Sequence, residues 1–124
     1  MKFRTGFVSN SSTTSFLVIT TPTSHAAALE KLGELKAKAM SGYSGLKKRK
    51  VLGQDAIVLN YISGEGGDEW IADMFKAKAL QAAFDASEKL EFAEDITYFA
   101  GELIGEYISK VRKQKDTYYQ EEDY

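Results

Sequence analysis

Cysteine is absent from this sequence, and its 124 residues hold one proline, one histidine and one tryptophan. Without thiols there is no disulfide, no thiolate nucleophile and no cysteine-held metal. The lone His25 cannot by itself build an ordinary zinc centre, and no aspartate partner is indicated for it. It reads as a solvent-facing residue at a helix start. Serines are plentiful, but no Gly-x-Ser-x-Gly elbow carries one. Apolar runs are far too short to span a bilayer. Lys2 and Arg4 are followed by no continuous apolar stretch, so no signal peptide is expected.

Two weaker features fail on their chemistry. Gly64-Glu-Gly-Gly67 precedes a helical pattern, the place where phosphates bind. Glu65, Asp68 and Glu69 would repel a phosphate there, and no Walker lysine follows. Asp68, Glu69 and Asp73 are oxygen donors for a hard cation, but their spacing fits no known loop. The sequence therefore predicts a non-enzymatic protein with no cofactor, no metal and no membrane partner.

What is present is an ordinary globular balance, 44% hydrophobic and 27% charged. The length suits one domain with a core of its own. That domain is expected over residues 1–115, with a Ser/Thr-rich arm at 1–15 and an acidic, Tyr-rich tail at 116–124. Charge is divided along the chain. Residues 1–50 hold nine Lys and Arg against Glu30 and Glu34, or +7, while residues 51–124 hold seven against sixteen acids, or −9. Such asymmetry fits a nucleic-acid face, or a dipolar subunit that meets its neighbours with opposite charges.

Phe16 to Thr21 is compact and β-branched, a strand pattern. Pro22 breaks it, and Ser24 is the expected N-cap of a helix over 25–40 with Ala28, Leu29, Leu32, Leu35 and Ala39 on one face. Leu46 to Leu52 and Ala56 to Ser63 read as strands joined through Gly53-Gln-Asp55. The second carries two apolar sets, Ala56/Val58/Ile62 and Ile57/Leu59/Tyr61, which predicts a central strand with both faces covered. The first is mostly Lys47-Lys48-Arg49-Lys50, suited to an exposed edge. Helical spacing returns over 69–86, capped by Asp68, and over 91–115, where Phe92, Ile96, Phe99, Leu103, Tyr107 and Val111 form a stripe. The order β-α-β-β-α-α predicts an α+β fold: a three-stranded antiparallel or mixed sheet with helices packed on one face.

The least usual stretch opens the chain. Phe3, Phe7, Val8 and Phe16 flank a run of short polar side chains from Ser9 to Ser15. Ser, Thr and Asn favour turns and caps over helix, while the flanking aromatics favour burial. Two readings follow: a strand entered through a Ser/Thr-rich turn, or an arm that docks on another chain. Lys2, Arg4, Gly6-Phe-Val-Ser-Asn10, the hydroxyl run and Phe16 resemble the opening of many small uncharacterised proteins of bacteria and their phages. Those proteins begin with basic residues, then Gly-Phe-Val-Ser-Asn, then serines closed by Phe. This chain departs by placing Thr13 and Thr14 within the run. The likeness covers residues 2–16 and implies a bacterial or phage origin, hence a site of action in the host cytoplasm, the virion or both.

Candidate contact residues are therefore Phe3, Phe7 and Val8 in the opening segment, the basic run Lys47, Lys48, Arg49 and Lys50, and Trp70, a single large aromatic beside a loop. The basic run reads either as a charged edge that prevents sheet-to-sheet pairing or as a contact for nucleic acid or an acidic neighbour. Tyr43 alone is no stacking platform beside it. The expected partners are other protein subunits, including copies of the chain itself, with nucleic acid less favoured. The expected role is a virion component of head-decoration or connector type. The alternatives are a small phage inhibitor of a bacterial defence system and a nucleic-acid-binding accessory protein.

Overall fold

A computed structural model of the chain describes residues 14–63, 71–87 and 96–123. The chain is α+β. Among the described residues, a four-stranded antiparallel sheet and four helices stand where three strands and three helices were expected from sequence.

Strand β1 (Thr14–Thr20) begins inside the hydroxyl run, ahead of the expected start at Phe16. Helix α1 (Pro22–Glu30) then starts one turn earlier than its sequence suggested. Thr21, not Ser24, is the N-cap: its extended backbone places the side chain to accept from the Ser24 N–H at 3.1 Å. Pro22 opens the helix, because its fixed φ suits the first turn and its missing N–H is not needed there. Gly33, at φ +91°, then divides the expected helix 25–40 and starts helix α2 (Glu34–Ser41) on a new axis. The division also breaks the expected apolar stripe. Ala28, Leu32, Ala39 and Met40 are buried, whereas Leu35 is exposed.

Strands β2 (Leu46–Val51) and β3 (Gln54–Ser63) form a hairpin with Val51 opposite Gln54. The connection is Leu52-Gly53 rather than the expected Gly53-Gln-Asp55. Both turn residues have positive φ, 52° and 80°, as a two-residue type I′ turn requires. A short 3₁₀ turn at Ala72–Met74 precedes helix α3 (Ala77–Ala86), so no single helix covers the described part of 69–86. Helix α4 (Ile96–Val111) ends before the expected 115, and residues 91–95 of that expectation lie outside the described residues. Asp116 takes a left-handed conformation, which Asp tolerates, and turns the chain back to the sheet. The segment expected to be a tail without core contact then forms strand β4 (Tyr118–Asp123).

The sheet order is β2-β3-β1-β4, with every neighbouring pair antiparallel. β3 is interior and β2 an edge, as the sequence predicts; β4 is the other edge. Register sorts the side chains onto two faces. Phe16, Val18 and Thr20 share a face with Ile57, Leu59 and Tyr61 of β3, Leu46 of β2 and Tyr119 of β4. Most of these pack with the helices into one apolar cluster that includes Ala28, Met40, Leu80, Leu103, Ile104 and Tyr107. Burying each large aliphatic side chain there contributes about 1.5–3 kcal/mol. Among the described residues no helix is long and apolar enough to cross a membrane.

Candidate interaction surface

The face of the sheet turned away from the helices is the first unusual feature. Register places Leu17 and Ile19 of β1, Val58 and Ile62 of β3, Tyr118 of β4 and Val51 of β2 on it. None of these belongs to the apolar cluster. Ile62 is 59% exposed and Tyr118 52%, while Leu17, Ile19 and Val58 are half-buried by their neighbours. Of the outward apolar set of β3 expected to be covered, Ala56 is buried, Val58 half-buried and Ile62 exposed, so the expectation holds at one end of the strand and not at the other. The second apolar set of β3 is real, but among the described residues no helix lies over it. At one end the face runs into an open cleft between Ile19, Val51, Leu52 and Asp116, with Leu52 almost wholly in solvent.

The basic run sits along one edge of that sheet. Lys47, Lys48, Arg49 and Lys50 are all exposed on β2, and their side chains alternate between the two faces. Lys47 and Arg49 share the bare face with Val58 and Ala56, and Lys48 and Lys50 stand on the helix side. Lys50 reaches Asp55 across the hairpin at 2.9 Å. Both side chains are largely in solvent, so this pair adds little to stability. The four cations thus form a ridge rather than a patch on one face.

The opposite edge, β4, is acidic, with Glu121 and Glu122 exposed. Its inner attachment is Tyr119, whose ring lies under the Arg112 guanidinium at 4.4 Å and whose hydroxyl donates to Glu121 Oε1 at 2.6 Å. Burial, the hydrogen bond to Glu121 and the Glu121 charge push the Tyr119 phenol up to about 12, with Arg112 acting the other way. The Tyr118 hydroxyl donates to Gln120 Oε1 at 2.9 Å on the bare side.

His25 differs from its sequence reading. It is half-buried rather than solvent-facing, with Nδ1 2.7 Å from the hydroxyl of Tyr107, itself fully buried. Burial, assisted by the Lys48 charge, lowers the His25 pKa, and burial raises that of Tyr107. A neutral ring and a neutral phenol sharing one hydrogen bond join α1 to α4. That is a structural link, since it leaves neither group ionised near neutral pH.

Phe3, Phe7, Val8 and Trp70 lie outside the described residues, as does the loop with Asp68 and Glu69. Of the sequence candidates the structure therefore locates only the basic run. The acidic edge went unseen because it depends on β4, whereas the outward apolar set of β3 was visible in the sequence but expected to be covered. The signal available for β4 was Tyr118-Tyr119, two strand-favouring residues ahead of the acids. No protein-family model, curated protein or solved structure matches this chain.

Proposed function

We propose that this chain is a non-enzymatic protein that works through protein contacts, as a subunit of a phage or prophage particle of head-decoration or connector type. The observation that carries the reading is the bare apolar face around Leu17, Ile19, Val58, Ile62 and Tyr118. Asn60 and Gln120 flank Leu17 on this face, and an exposed apolar surface edged by polar and charged groups is a common mark of a protein interface. The resemblance of residues 2–16 to the openings of small bacterial and phage proteins supports the particle assignment. On this reading the opening segment is a second contact, with Phe3, Phe7 and Val8 as anchors, and the chain is made in the host cytoplasm before it joins the particle.

The test is incorporation. Tagged full-length chain and the variant Ile19→Asp/Val58→Asp are expressed while particles assemble, and the particles are banded on a density gradient. The full-length chain is expected in the particle band and the variant in the soluble fraction. A full-length chain that never bands with particles contradicts the assignment.

The exposed ridge Lys47 to Lys50 favours one second reading, contact with nucleic acid. DNA binding whose affinity falls steeply with salt, and which Lys47→Ala/Arg49→Ala flattens, would support that reading instead.

A further inference from the structure

The sheet is open, and its two outer strands carry opposite charge. β2 presents Lys47, Lys48, Arg49 and Lys50, and β4 presents Glu121 and Glu122. Among the described residues no strand lies outside either of them. The outward backbone N–H and C=O groups of each are therefore templates for a further strand. Pairing β2 with a second β2, or β4 with a second β4, sets like charges opposite one another, which destabilises a ladder. Pairing β2 with β4 sets opposite charges together.

Strand direction permits that pairing. β1 and β2 run one way, β3 and β4 the other. If a second copy is placed beside the first in the same orientation, its β2 lies antiparallel to the β4 already there. The helices of both copies then stay on one side. The strands match in length, at six residues each. A register with Val51 opposite Tyr118 puts Lys48 opposite Glu121 and Lys47 opposite Glu122. Directly opposed residues of an antiparallel ladder share a face, and these do. Lys48 and Glu121 lie on the helix side, while Lys47 and Glu122 lie on the bare side with Val51 and Tyr118.

We infer that copies of this chain join edge to edge, the basic β2 of one pairing with the acidic β4 of the next, so that one sheet continues through the assembly. The contact is head to tail. It closes into a ring or grows as a chain, and does not stop at a two-fold dimer. The charges on β2 then serve two ends: they forbid its pairing with itself and select the acidic edge. The face turned away from the helices is left for another partner. This inference rests on the protein-contact reading above and names one partner, a second copy.

The test uses the full chain and two folded variants, Lys47→Glu/Lys48→Glu and Glu121→Lys/Glu122→Lys, with circular dichroism melts to establish folding. Sedimentation velocity of the unmodified chain should show species larger than a dimer that grow with concentration. Raising salt should weaken self-association at least about tenfold, a measurement that needs no variant. Each variant alone carries like charge on both edges and should sediment as a monomer; an equimolar mixture of the two should regain the large species. An unmodified chain that is monomeric at every concentration overturns the inference. So does a closed dimer indifferent to salt, or a mixture of folded variants that fails to assemble. A chain that bands with particles yet stays monomeric alone overturns edge pairing while leaving the protein-contact reading in place.

Discussion

The Ser24 hydroxyl donates to the Lys115 carbonyl at 2.6 Å, joining residues 91 positions apart. Ser24 is buried in the first turn of α1, and Lys115 lies in the turn that leads from α4 to β4. Beside this bond the Thr20 and Thr117 hydroxyls lie 2.7 Å apart. Together they fix where the chain re-enters the sheet, and so fix the acidic edge next to β1. Ser24→Ala removes the donor and leaves a partly buried carbonyl without it. The expected cost is about 1–2 kcal/mol in chemical denaturation, with earlier proteolysis at the β4 end.

The two faces of β3 should respond differently to truncation. Leu59 is fully buried among the helices, whereas Ile62 is mostly exposed on the bare face. Leu59→Ala is expected to cost about 2–5 kcal/mol. Ile62→Ala should stay within about 0.5 kcal/mol, as for most surface changes. Denaturant midpoints measured at low protein concentration compare them. Equal losses would mean that the bare face is covered within the single chain.

Leu52 holds a left-handed conformation at φ 52° in the β2–β3 turn, with its side chain 98% exposed. That geometry costs a Cβ-bearing residue roughly 1–2 kcal/mol, and asparagine bears it better. Leu52→Asn should therefore raise the unfolding midpoint, a stabilisation of about 0.5–1 kcal/mol. A lower midpoint would mean that Leu52 is held by contacts that offset the strain.

Stability should also depend on pH through His25. Its folded-state pKa lies below the ordinary 6.5, because burial disfavours the imidazolium. The unfolded chain thus binds the proton more readily, and stability falls as pH drops below about 6.5 toward the folded-state value. Above 6.5 this contribution is complete. Urea midpoints between pH 5 and 8 should show the slope, and His25→Gln should remove it. An unchanged slope in that variant would assign the pH dependence to other groups.

Much of the fold was legible because its pattern is local. The β-branched run of β1, the Lys-rich edge β2 and the stripe of α4 each announce their element in a few residues. Two features were not. Gly33 sits inside a helical spacing that continues on both sides, and only its positive φ divides α1 from α2. β4 gives a single ring, Tyr119, to the core and shows acids elsewhere, so its sequence resembles a solvated tail. The second apolar set of β3 was visible, but an uncovered face and a covered one share the same letters. Charge was informative at the two edges, where Lys47 to Lys50 lie on one outer strand and Glu121 and Glu122 on the other, although Lys36 and Glu106 pair across the two halves.

Hydrogen exchange at two protein concentrations tests the central claim, that this open sheet works by pairing its edges with further copies of the chain, most directly. Amides of β2 and β4 that point away from the sheet should exchange freely when the chain is dilute and slow at least about tenfold when it is concentrated. Amides of β1 and β3, already paired within the chain, should not change. Edge amides that exchange at the same rate at both concentrations would contradict the claim.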